Sequence, residues 1–241
     1  MKNIAIVVCL HGNEPYGLEV KDKLPSALPV FIGNPKAIEN NVRFTESDLN
    51  RSFPGKEDGT YEERLAVDLL KELKKFDYVI DLHSSTSRME LFGIITKLTK
   101  EKIELARKLG LKRVAIMTDK LANGCSLIDH LKCAISLEVG PHERKENAQE
   151  VVDVINNLIS KNITGQDLEV LEIFDIIKGD KNVKYYINNF EEVKKGVLIA
   201  EGSRNKYFAP FDFIPLFVGS DYKEVICLAS RNIKSIGGII C

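Results

Sequence analysis

The sequence predicts an α/β fold followed by a β-rich carboxy-terminal segment. Three observations lead there. Short apolar runs rich in β-branched residues alternate with amphipathic helical patterns as far as about residue 160. Those runs are nearly continuous, as in strands covered on both faces. Beyond about Lys161 the helical period stops, and short apolar runs separated by Gly, Asn and Asp take over. The expected division is a first domain over 1–164 and a small β domain over 165–241.

The elements follow in order. Ile4 to Cys9 is a first strand; the basic-then-apolar start is too short for a membrane span. "PYGLEVKDKL" is a helix with Pro15 at its first position. "PVFIGN" is a second strand. The polar stretch from Asn34 to Gly59 carries no amphipathic period, and long irregular segments in compact domains tend to be functional. "TYEERLAVDLLKELKKF" is a helix opened by a Thr60/Glu63 capping box, with Leu65, Leu69, Leu70 and Leu73 at helical spacing. "YVIDLHSS", "ELFGIIT", "RVAIMT" and "AISLEVG" are strands, "KEKIELARKLG" is a helix among them, and "ENAQEVVDVINNLISK" closes the domain. "DLEVLEIFDIIK", "GVLIAEG", "FDFIPLFVG", "EVICLAS" and "IGGIIC" are the later strands.

Composition narrows the function. A 241-residue chain can bury a full core without staples. Its 44% hydrophobic and 29% charged residues are ordinary for a globular protein. A net charge of −1 supplies no basic field for nucleic acid and no polybasic membrane signal. Cys9, Cys125, Cys133, Cys227 and Cys241 are an odd set without a C-x-x-C pair, which argues against a disulfide framework and a Cys-type zinc site. Reduced thiols point to the cytoplasm. Neither a Walker A nor a G-x-G-x-x-G pattern occurs.

Polar groups then collect at three strand ends. The first apolar run stops at His11 and Glu14, "YVIDL" stops at His83, and "AISLEV" carries Glu138. In open α/β sheets, sites form beyond the carboxyl ends of strands. Two His and one Glu are the donors of a hydrolytic zinc site with a position left for water. Gly12 supplies the permissive backbone for a sharp turn between His11 and Glu14. Taken singly, each has a plainer reading: a hydrogen-bonded histidine, or a sheet carboxylate in an ion pair. Asp81 either orients His83 or caps its strand. Cys9 reads as a buried thiol, His142 as a surface residue by default with the pocket as its alternative, and His130 as part of a short, partly exposed helix.

"HGNE", "DLNRSF", "DLHSS" and "LEVGP", in this order, resemble the aspartoacylase and succinylglutamate desuccinylase family of zinc-carboxypeptidase-like hydrolases. The resemblance implies a central mixed sheet flanked by helices, with the small β domain covering the active site. It implies one Zn²⁺ per chain on His11, Glu14 and His83, with Glu138 as general acid/base and Arg43 polarising the scissile carbonyl. It also implies a carboxylate clamp of Asn50 and Arg51, with Asp48 orienting their loop, and a pocket-closing Tyr222. The family's further substrate arginine has no counterpart: Ile128 stands at that spacing, with His130 and Lys132 as stand-ins. The implied activity is removal of the acyl group from an N-acyl amino acid. A carboxypeptidase for short peptides and a non-catalytic metal-binding module are the alternatives. The expected partner is that small substrate, without nucleic acid or membrane, and self-association is open.

Overall fold

The computed structural model describes residues 3–118, 124–160, 167–180, 182–221 and 224–233, and the backbone of 235–236 and 239–240. The five early strands are β1 (Ile4–Val8), β2 (Val30–Ile32), β3 (Tyr78–Ser84), β4 (Phe92–Ile95) and β5 (Arg113–Met117), followed by β6 (Ala134–Val139). The helices are α1 (Tyr16–Lys23), α2 (Pro35–Glu39), α3 (Tyr61–Leu73), α4 (Lys100–Leu109) and α5 (Asn147–Ser160). The later strands are β7 (Glu169–Lys178), β8 (Lys184–Tyr185), β9 (Leu198–Glu201), β10 (Lys206–Phe208), β11 (Ile214–Leu216), β12 (Val225–Asn232), β13 (Ser235–Ile236) and β14 (Ile239–Ile240).

Nine strands form one mixed sheet in the order β11-β12-β7-β5-β4-β6-β3-β1-β2. β2, β1, β3 and β6 run parallel, so their carboxyl ends lie at one edge. β4 is antiparallel to β6 and parallel to β5. Alternate residues sort the strands into two faces. On one face Ile6, Val8, Ile80, Leu82, Ile135 and Leu137 pack with Val20 of α1, Ile103 of α4 and Val151 and Ile155 of α5. On the other, Ala5, Val7, Val79 and Ala134 pack with Leu69, Leu70 and Leu73 of α3. Each of those leucines is under one-tenth exposed, and burying one contributes about 1.5–3 kcal/mol before entropy is counted.

The Thr60/Glu63 capping box forms as expected: Glu63 N donates to Thr60 Oγ1, and Thr60 N donates to Glu63 Oε2. Pro15 sits one residue earlier than expected, as the N-cap of α1, within the usual uncertainty of helix ends. α2 was not expected. Five residues are too few to show a period, but Asn34 caps it through Ala37 N, and Pro35 opens it.

The carboxy-terminal segment divides its strands. β7 pairs with β5 over its first half, and β12 and β11 extend the main sheet beyond it. β10, β9 and β8 make a separate three-stranded sheet. Ile199 and Ala200 of that small sheet pack on Ile177, Ile226 and Cys227, near the far ends of β7 and β12. Among the described residues no helix is long and apolar enough to cross a membrane.

Candidate metal centre and active-site cavity

β1 ends in a turn. Cys9 adopts φ 56°, a left-handed conformation uncommon for a side chain of its kind. Asn34 N donates to the Cys9 carbonyl and Gly12 N to that of Arg43, which fix the turn against neighbouring loops. Gly12 is required for a different reason from the one expected. Its φ is not left-handed; a Cβ there would fall 2.1 Å from the carbonyl carbon of Ala37 in α2. Close backbone contact, rather than turn conformation, excludes a side chain. Cys9 is the buried thiol expected, pushed up to about 12 by burial and by Glu14.

The turn and the end of β3 bring His11, Glu14 and His83 together. One donor atom from each lies within 4.8 Å of the others, and all three are buried. Glu14 Oε1 is 2.7 Å from His11 Nδ1, and Oε2 is 3.3 Å from His83 Nδ1 and accepts from Ser84 N. Each ring's outer nitrogen faces a carboxylate of its own. His83 Nε2 is 2.7 Å from Asp81 Oδ2, which also accepts from Ser136 Oγ. His11 Nε2 is 3.1 Å from Asp48 Oδ1. Asp81 therefore orients His83. Asp48 does more than order its loop, because it also orients His11. Such carboxylates fix the tautomer and raise ligand basicity.

The charges are strongly perturbed. Burial pushes the Glu14 carboxyl up, but the two imidazoles outweigh it and hold it well below its usual range. Burial likewise raises Asp48, while His11, Arg43 and Arg51 pull it below its ordinary value. Burial opposes charge on His83, yet Asp81 and Glu14 keep its pKa well above normal. Two imidazole nitrogens and a carboxylate, each held by outer partners, are a donor set that suits zinc or a similar divalent ion.

Glu138 comes to the centre by register. In β6 it pairs with His83 of β3 on one side and Phe92 of β4 on the other, so its side chain shares their face. Burial pushes its carboxyl up to about 7, against the pull of His83. Asp48 joins the remaining candidates. Arg43 Nε and Nη2 both lie 3.0 Å from Asp48 Oδ2. Asp48 also accepts from Asn50 N, capping the short 3₁₀ turn Leu49–Arg51. Asn50 Oδ1 accepts from Leu127 N, which leaves its amide nitrogen 3.2 Å from His83 Nε2. Arg51 is exposed, with Nη1 donating to the Asn50 carbonyl. Tyr222 lies outside the described residues.

A cavity of about 260 Å³ opens over these groups, just below the usual range for ligand sites of about 300–1,000 Å³. His11, Glu14, Arg43, Asn50, Arg51, His83 and Glu138 all line it. So does Ile128, whereas His130 and Lys132 do not: His130 turns its Nε2–H to the Gly124 carbonyl, and Lys132 is exposed. His142 lines the cavity instead of standing at the surface, with Nδ1 2.7 Å from Ser84 Oγ. Ser136 was missed, although it stands two residues before Glu138 and so shares its face. Thr96, Met117 and Phe217 carried no such signal, since only folding brings them to the same place.

A mixed α/β sheet with a buried His–Glu–His donor set at its parallel strand ends defines a class of α/β proteins that carry a candidate divalent-metal centre. Within that class, a model of the succinylglutamate desuccinylase/aspartoacylase catalytic domain matches residues 1–160, and the chain belongs to that family. It is 27% identical over 197 residues to an N-acyl-aromatic-L-amino acid amidohydrolase (carboxylate-forming) of Xenopus tropicalis, covering 70% of this chain and 64% of that relative. The chain thus spans less than two thirds of that relative's length. It is 29% identical over 248 residues to a succinylglutamate desuccinylase of Pseudomonas fluorescens, covering 81% of this chain and 72% of the other. Murine aminoacylase 3 shares the fold, with a TM-score of 0.78 at 18% identity over 96% of this chain and 95% of that one.

Proposed function

We propose that this protein is a zinc-dependent amidohydrolase that removes the acyl group from an N-acyl amino acid. The observation that carries this reading is the meeting of His11, Glu14 and His83 around one point, with Glu138 beside His83 at the paired register. A non-catalytic metal site has no need of a second acid there. His11, Glu14 and His83 would hold the ion. When bound, the ion supplies Lewis acidity that makes water nucleophilic near neutral pH.

The chain's own residues supply the rest. Glu138 takes the proton from the attacking water and returns it to the leaving amine. Its raised pKa suits both halves of that exchange. Arg43 stabilises the carbonyl oxygen as charge develops there, with its guanidinium anchored on Asp48. Arg51 offers the substrate carboxylate a two-pronged fork, and Asn50 adds a neutral donor. The cavity suits one small substrate, and the cytoplasm remains the compartment proposed from the free thiols.

The test is metal analysis of purified protein, followed by a matched panel of N-acyl amino acids and dipeptides. Hydrolysis of the acyl panel is expected, and Glu138→Gln should retain the metal while losing about 10²–10⁴-fold in kcat. Turnover of dipeptides alone would make the protein a carboxypeptidase. No turnover of either by metal-loaded protein would leave a binding module.

A further inference from the structure

Register sets a row of side chains one step below the donor set. Asp81 of β3 pairs with Ser136 of β6, and two residues on His83 pairs with Glu138. On its other side Asp81 pairs with Val7 of β1, while Ser136 pairs with Ile94 of β4. Val7, Asp81, Ser136 and Ile94 therefore stand side by side on one face of the sheet. Asp81 is fully buried, and Ser136 is 5% exposed. Val7 and Ile94 are apolar, so Ser136 is the one member of the row that can donate to Asp81. An alanine or valine at 136 would fill the row as well and bury no hydroxyl.

Asp81 hangs on few contacts. Its Oδ2 is 2.7 Å from His83 Nε2 and accepts from Ser136 Oγ at 3.1 Å. Its Oδ1 is buried without a hydrogen-bond partner. A carboxyl group taken from water depends on each donor it keeps. His83 Nε2 also lies 3.2 Å from Asn50 Nδ2. Asn50 Oδ1 accepts from Leu127 N, so the amide atom that faces the ring is the nitrogen, which only donates. The proton on Nε2 therefore goes to Asp81, and Nδ1, on the Glu14 side, is left for a metal ion. Asp81 aims the ring, and Ser136 aims Asp81.

We infer that Ser136 is a positioning residue for the metal centre: its hydroxyl holds the Asp81 carboxyl in the direction that turns His83 Nδ1 towards the ion. This rests on the metal-dependent reading above. Ser136 acts at one remove, through Asp81, and its effect is on how tightly the ion is held.

The experiment measures Zn²⁺ affinity by competition with a chromophoric chelator, in wild-type protein, Ser136→Val and Ser136→Thr. Valine and threonine have nearly the same shape, so their difference isolates the hydroxyl. Ser136→Val should weaken binding about tenfold, the worth of one hydrogen bond. Ser136→Thr should stay within about threefold of wild type. Ser136→Ala replaces the valine variant if that one does not fold. Asp81→Asn should weaken binding about 10–100-fold, and adding Ser136→Val to it should cost nothing further, because the hydroxyl works through that carboxyl. Equal affinities of the Val and Thr variants would overturn the inference, as would losses that add in the double variant. So would a Ser136→Val effect confined to KM at saturating Zn²⁺, which assigns the hydroxyl to the substrate. Urea denaturation of the metal-free proteins separates a packing role, which moves stability and leaves affinity alone. Failure of the metal-dependent reading is distinguishable: wild-type protein that binds no divalent ion sinks both, whereas wild-type binding indifferent to the hydroxyl sinks this inference alone.

Discussion

Glu14 touches the His11 and His83 imidazoles at once, one with each oxygen. In the metal-free protein this pairing, with Asp81 on the far nitrogen, keeps a proton on His83. A metal needs the neutral ring, so binding must expel that proton. The apparent affinity should therefore fall as pH falls, about tenfold per unit while the metal-free ring stays protonated. Calorimetric titrations in two buffers of different ionisation enthalpy should show about one proton released per ion, and none released would contradict the arrangement. Asp48→Asn removes the carboxylate from His11 Nε2 and should weaken metal binding about 10–100-fold, read by competition with a chelator. Glu138 titrates from about 7 without metal. A nearby cation favours its charged form, so the acid limb of kcat/KM in loaded protein should lie below that value.

At the scale of elements, the irregular loop before α3 presents Asn50 and Arg51 to the cavity, and Glu62 of α3 holds the loop. Glu62 is fully buried, and its two oxygens accept from Asn34 Nδ2, Thr45 N and Oγ1, Glu46 N and Ser47 N. Burial raises its pKa, but these donors prevail and lower it from 4.5 to about 2. A depressed folded-state pKa stabilises above the unfolded value and loses that contribution as pH falls through the folded one. Stability should thus decline between about pH 4.5 and 2 by on the order of 3 kcal/mol from this group. Glu62→Ala should cost a similar amount at pH 7 by urea denaturation and leave a shallower acid limb. An unchanged slope between wild type and variant would exclude this role.

At the scale of the molecule, the metal would join a turn after β1 to the end of β3, and a ligand that binds only the folded state stabilises it. At a free concentration a hundred times Kd the gain is about 2.7 kcal/mol. For a chain of this size that is a Tm shift of roughly 5–10 °C. Calorimetry of loaded and chelator-treated protein should show it. The metal-free protein should still fold cooperatively, because Glu14 remains paired with both histidines and both faces of the sheet keep their cores.

The amino-acid sequence by itself determined the alternation of strands and helices, the capping box of α3, and the three strand ends that bear the donor set. These are local matters: a covered strand reads as an apolar run, and a site at its end interrupts that run with polar groups. Tertiary structure alone decided the rest. β7 reads the same whether it opens a new sheet or continues the old one, because an apolar strand does not name its partner. Asp48 looked like a loop residue because its hydrogen bond to His11 spans 37 positions. The place of Gly12 is decided by the backbone of α2, and that of Thr96 by strands whose directions no short pattern encodes. Side-chain chemistry is written along the chain, but proximity between distant segments is settled only when the sheet order and register are fixed.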